Sequence, residues 1–146
     1  MKIKLISVGK INSDPAAPLS ADYISRIRKF IPFEDIVLKT DKDDKIAARM
    51  IKESQKGQIL AALDERGRLF DSFEFSSLIS KWMNAGHTQV TMVIGGADGL
   101  PQEIKQKAHT TIALSKMTLP HRLARLILAE QIYRGLCIIK NVPYQK

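Results

Sequence analysis

Apolar runs that alternate with helix-patterned segments constrain this chain more than any other feature. Ile3–Val8, Asp35–Lys39, Gln58–Leu63, Val90–Ile94 and Thr111–Leu114 read as strands. Between them Leu19–Ile31, Asp43–Ser54, Phe75–Asn84 and a segment from Pro101 to about His109 read as helices. Leu119–Ile139 closes the order as the longest helix. The first helix places Tyr23, Ile24, Ile27 and Phe30 on one stripe, and Pro32 stops it. The second turns Ile46, Ala47, Met50 and Ile51 inward. Strands alternating with helices predict an α/β fold, a mostly parallel sheet with helices on both faces. The 146 residues suffice for one domain, 1–146, around one substantial core.

Composition narrows the class. A hydrophobic content of 45% fits a folded globular chain, and no apolar run is long enough to span a membrane. The start, MKIKLISVGK, alternates like a strand and lacks a small-residue cleavage site, so it does not read as a signal peptide. Cys137 is the single cysteine, which excludes an internal disulfide and a cysteine-built zinc site and makes a reducing cytoplasm the default setting. Its apolar helix predicts a buried, inert thiol. The net charge is +8 and uneven. Residues 1–32 carry six basic and two acidic side chains, residues 116–146 six basic and one acidic, and the middle is nearly neutral. Two basic ends suit a polyanionic partner such as nucleic acid, and solubility alone is the other explanation.

Parallel α/β sheets bind ligands beyond the carboxyl ends of their strands. Three such ends carry unusual residues: Leu63-Asp64-Glu65-Arg66-Gly67, Ile94-Gly95-Gly96-Ala97-Asp98-Gly99-Leu100 and Leu114-Ser115-Lys116-Met117-Thr118-Leu119. The first reads as a turn. The glycines of the second allow close backbone approach and positive φ, but they do not form G-x-G-x-x-G. No phosphate-binding P-loop and no G-x-S-x-G nucleophile motif is present, and no histidine pair has metal-ligand spacing. Apolar loop residues with free backbone amides, and little fixed positive charge beyond Lys116, suit a neutral flat heterocycle better than a triphosphate.

Four stretches, LDERG, VIGGADGL, LSKMTLPHRLARLILAEQIYR and the terminal NVPYQ, closely resemble the small bacterial rRNA methyltransferases of the large ribosomal subunit that act on pseudouridine N3, a family of the SPOUT class. The likeness covers essentially the whole chain. It implies a C-terminal trefoil knot in which the segment after the last strand threads a loop and wraps S-adenosylmethionine. By match, the cofactor contacts fall on Leu63, Gly95, Leu114, Ser115, Lys116, Met117, Thr118 and Leu119. The implied partners are 23S rRNA within the ribosome and a second copy of the chain, with no metal. On this resemblance Ser115–Thr118 looks like neither strand nor helix because it is a cofactor cradle.

The last helix is apolar on several sides, which predicts two packing partners, the second being either another subunit or more of the chain's own core. A charge at Ile132 is expected to break the dimer or the fold. Arg125, Arg134 and Tyr144 are candidates for contact with RNA, with a subunit seam or surface packing as alternatives. Transfer of an activated methyl needs alignment and removal of the target proton, and the sequence does not single out a base. His87 falls in a loop. His109 ends a helix, where a cation suits the dipole. His121 follows Pro120 beside the cradle, and Glu130 has Arg134 one turn on as an ion-pair partner. The family's usual ending is Pro-Tyr-His, whereas this chain ends Pro143-Tyr144-Gln145-Lys146. A neutral amide cannot act as a general base. Two further readings therefore stand beside the enzyme: an RNA-binding module that has lost catalysis, and a methyltransferase acting on a different RNA.

Overall fold

The computed structural model describes residues 1–10 and 13–144. Among the described residues five strands and five helices alternate: β1 Lys2–Val8, α1 Ala17–Ile27, β2 Phe33–Leu38, α2 Asp43–Ser54, β3 Ile59–Leu69, α3 Ser72–Asn84, β4 Gln89–Ile94, α4 Gln102–Lys107, β5 Thr110–Ala113 and α5 His121–Ile139. All pairings are parallel, in the order β2-β1-β4-β3-β5. The α/β expectation is met.

Two apolar layers follow from the alternation of side chains along each strand. Ile3 and Leu5 of β1 join Val90 and Met92 of β4 under α1, α3 and α5. Ile6 and Val8 join Leu60, Ala62 and Val93 under α2 and α4. The central strands are mostly apolar on both faces because both are covered; Lys4, Ser7, Gln89 and Thr91 are buried polar exceptions, and Lys4 is the charged one. Lys4 is buried, and its ammonium reaches Glu53 Oε2 at 2.8 Å and Glu34 Oε2 at 3.2 Å.

α5 lies between α1 and α3, burying Leu128, Ala129, Ile132 and Leu136 completely. Ile132 therefore belongs to the core of one chain, and a charge there tests the fold rather than a subunit contact. Cys137 is buried. Leu123 and Ile127, one turn apart on the same helix, remain exposed.

Several boundaries differ from the sequence reading, among them α1, which runs Ala17–Ile27 and ends before Pro32 is reached, and three of the others have identifiable reasons. β2 begins at Phe33, directly after Pro32. α3 begins at Ser72 because Asp71 and Glu74 form a capping box, Asp71 Oδ1 accepting from Glu74 N at 2.7 Å and Glu74 Oε2 from Asp71 N at 2.8 Å. The LDERG segment is a bulge within β3 rather than its end. Leu63 and Arg68 both lie opposite Ile112 of β5, so residues 64–67 loop out and the strand then resumes. Gly67 permits this, because a Cβ there would sit 2.6 Å from the Thr111 carbonyl.

Candidate functional site

The bulge of β3 and the carboxyl ends of β4 and β5 open onto a cleft of about 340 Å³. Its floor is backbone. After Ile94 the chain folds back on itself, with Gly99 N donating to Gly96 O at 3.0 Å and Gly99 at φ +79°. The turn is so tight that a Cβ on Gly95 would lie 2.3 Å from the Gly99 carbonyl carbon and 2.5 Å from Leu100 N. Gly95 thus serves the loop's own closure as well as the space above it.

The segment after β5 forms one wall. Ser115 Oγ accepts from Met117 N at 2.9 Å, and the Thr118 hydroxyl donates to the Glu65 carboxylate. Side-chain hydrogen bonds of this kind hold a turn where a ladder would otherwise form. They explain why Ser-Lys-Met-Thr is neither strand nor helix. Pro120 then fixes the entry of α5.

Of the residues expected at a cofactor, Leu63, Gly95 and Leu114 line the cleft, as do Ser115, Met117, Thr118 and Leu119, whereas Lys116 does not. Met117 stands at the rim, 77% exposed. Asp64, Glu65, Arg66 and Asp98 reach the cleft from two of the loops that the sequence singled out, and α4 adds Lys105, which the sequence did not. Asp64 accepts from Arg66 N at 2.8 Å and faces Lys105 Nζ at 3.1 Å. Burial pushes its carboxyl up, but the Arg66 amide and the Lys105 ammonium more than offset this, and it sits below the usual carboxylate range. No sequence signal pointed to Lys105, whose position looks like any exposed helix lysine.

The histidines occupy distinct places. His109 lies beyond α4, where its Nδ1 accepts from Leu60 N at 3.0 Å while its own amide donates to Leu60 O at 2.8 Å. It pins β3 through both of these bonds instead of capping a helix. His87 lies between α3 and β4. His121 opens α5, lines the cleft and rests its ring on Gly9, and its Nε2 is buried with no partner among the described residues.

Arg125, Arg134 and Tyr144 do not line the cleft. Arg125 is buried, and its guanidinium binds Asp35 of β2, tying α5 to the sheet. Arg134 reaches Glu130 Oε1 through NH2 at 2.6 Å, so Glu130 makes the expected helix ion pair, and its guanidinium lies 4.5 Å from the Tyr144 ring centroid. The Tyr144 hydroxyl donates to Glu130 Oε1 at 3.0 Å and meets the Tyr23 hydroxyl at 3.4 Å. Burial first, then these hydrogen bonds, push its phenol well up. Tyr133 packs edge-on against Tyr144 with centroids 4.9 Å apart. Gln145 and Lys146 lie outside the described residues.

A parallel α/β sheet with a mixed apolar and polar, backbone-floored cleft at its strand ends is the architecture of enzymes that hold a nucleoside-bearing cofactor. A family profile described as a predicted SPOUT methyltransferase matches residues 1–145. Ribosomal RNA large subunit methyltransferase H of Syntrophotalea carbinolica is 37% identical over 153 residues, covering 99% of this chain and 98% of that protein. The protein of the same name from Streptococcus uberis is 38% identical over 159 residues, with full coverage of both chains. Among solved structures, a probable methylase family protein from Haemophilus influenzae Rd KW20 shares the fold, with a TM-score of 0.56 at 12% identity, covering 99% of this chain and 70% of that one. The chain belongs to the SPOUT methyltransferase family.

Proposed function

We infer that this methyltransferase moves a methyl group from S-adenosylmethionine to large-subunit ribosomal RNA, at N3 of a pseudouridine. The observation that carries the reading is the cleft, in which residues from the β3 bulge, the ends of β4 and β5 and the Ser115–Leu119 wall converge on one space. The residues present fit the cofactor. Leu63, Ile94, Leu114 and Leu119 give apolar walls for the adenine, and the carboxylates Asp64, Glu65 and Asp98 suit hydroxyls and positive charge. Bound there, the cofactor supplies a sulfonium methyl already activated toward a nucleophile.

The chain's own task is positional. The cleft fixes the methyl donor, and Arg134 and Tyr144 hold the RNA. Methyl transfer from the bound cofactor to N3 would require the N3 proton to leave to water or a nearby group. Gln145 stands where the family has histidine and cannot accept that proton at neutral pH. Arg125, tied to Asp35, acts by holding α5 in place. We further propose a homodimer seated on the exposed Leu123 and Ile127 face, a trefoil threading of residues 114–119, a cytoplasmic setting and the assembled ribosome as substrate. A second copy on α5 offers a way for the Arg134–Tyr144 end of one chain to approach a cleft.

Single-turnover methylation of ribosomes lacking the modification tests the reading. One methyl per large subunit, at a pseudouridine, is expected. Strong activation of an inactive wild-type chain by Gln145→His would favour a lapsed enzyme, and incorporation into another RNA would redirect the substrate. Leu123→Asp should yield a folded monomer by sedimentation, and an unchanged association state would reject that seam.

A further inference from the structure

The cluster that holds Tyr144 extends onto α1, to a residue that neither the cleft nor the tail required. Arg26 places its guanidinium 5.6 Å from the Tyr23 ring centroid and 5.7 Å from that of Tyr133. Its ionic partner is Asp22, one turn back on the same helix at 2.9 Å, with both side chains about half exposed. Exposed pairs of that kind contribute little and exchange readily for a better acceptor. The rings hold the guanidinium in place, so less freedom is lost when it takes up a ligand. Arg134 sits on the opposite end of the same aromatic group, over Tyr144.

Two planar cations thus flank three tyrosine rings on the seam of α1 and α5. Rings that can stack on bases, bracketed by forks that match phosphate oxygens, are the chemistry of a single-stranded RNA contact. We propose that Arg26 is a phosphate-binding residue for the RNA substrate, gripping the backbone on the side of the tyrosine cluster opposite Arg134. The proposal rests on the reading of the chain as an rRNA methyltransferase. Arg26 touches no reacting atom and acts on affinity and placement.

The experiment compares wild type, Arg26→Gln and Arg26→Lys in single-turnover methylation of unmodified ribosomes over a potassium chloride series. Calorimetric titration with S-adenosylmethionine and thermal melts accompany each variant. Arg26→Gln is expected to raise the half-saturating ribosome concentration about tenfold and to lower the salt slope by about one, at unchanged cofactor affinity and near-normal maximal rate. Arg26→Lys should keep the slope but recover affinity only in part, because it loses the fork. An unaltered slope and half-saturation in a folded Arg26→Gln variant overturns the assignment of Arg26 alone. A fall in melting temperature that accounts for the whole loss, reversed fully by lysine, makes Arg26 a structural clamp and overturns it too. A wild-type chain that methylates no ribosome refutes the parent reading, and this one with it.

Discussion

The cleft and the tyrosine cluster sit at the two ends of α5 and are built on opposite plans. The cleft is made of backbone. Gly95 and the Ser115–Thr118 turn shape it, and few of its polar side chains come from regular helices. The cluster is made of side chains. Tyr23, Tyr133 and Tyr144 come from α1, α5 and the tail, and Arg26, Glu130 and Arg134 surround them. Backbone geometry recognises a small ligand of fixed shape. Long cations on aromatic rings suit an extended, charged and variable one. The difference separates a cofactor from a polymer within one short chain.

Arg125 lies between the two regions on α5, and breaking it should do the most damage to both. Arg125→Ala strands Asp35 in a partly buried site and should cost about 3–5 kcal/mol in urea unfolding, whereas Arg134→Ala should cost under about 1 kcal/mol. Equal costs would erase the distinction between them.

Deleting Tyr144–Lys146 removes one ring of the cluster and leaves the cleft whole. Single-turnover methylation should fall about 100-fold with cofactor affinity unchanged by calorimetry. Gly95→Ala should do the reverse. It forces the glycine loop apart, should cost about 1–3 kcal/mol of stability, and should weaken cofactor binding while ribosome binding persists. A folded Gly95→Ala or Gly95→Val variant with normal cofactor affinity would remove the glycine loop from the site. Gln145→His should change the methylation rate only a few-fold, on the order of one hydrogen bond.

The smallest effect concerns neither region and serves as a control. Hydrogen bonds to Lys4 hold the Glu53 and Glu34 carboxyls below their usual value of 4.5. Burial pulls the Lys4 ammonium down, but Glu53 and Glu34 more than compensate, and it titrates above its usual 10.5. The carboxylates therefore add stability above about pH 4.5, lost as pH falls through their depressed values. Lys4 adds stability below about pH 10.5, lost as pH rises through its raised value. The stability gap between wild type and Lys4→Met should be present at pH 7 and shrink by pH 3.

Periodicity carried the layered fold, since a helix stripe and a strand alternation each leave a local mark. It misplaced the end of β3 because turn chemistry at Asp64 is real yet lies inside a strand, and only Thr111 and Ile112, far along the chain, reveal the resumed pairing. The cleft was partly legible because glycines at a strand end and a Ser-Lys-Met-Thr interruption are locally odd. Lys105 was not, since an ordinary surface residue acquires a role only when the fold brings it beside others. The same holds for Arg26 and Tyr23. Their spacing on α1 is that of any amphipathic helix, and nothing in it announces Tyr133 or Tyr144.

The strand order has a bearing on time. β1 is made first but lies inside the sheet, second from one edge and hydrogen-bonded to a strand that begins at Gln89. During synthesis it can pair with β2 early, but its other edge waits until more than half the chain has emerged, and β3 waits longer still for β5. Sheets assembled from such distant partners fold slowly and expose unpaired edges meanwhile. Refolding from denaturant should accordingly lag well behind that of a helical bundle of equal length, and the α5 face should be the last surface to be laid down.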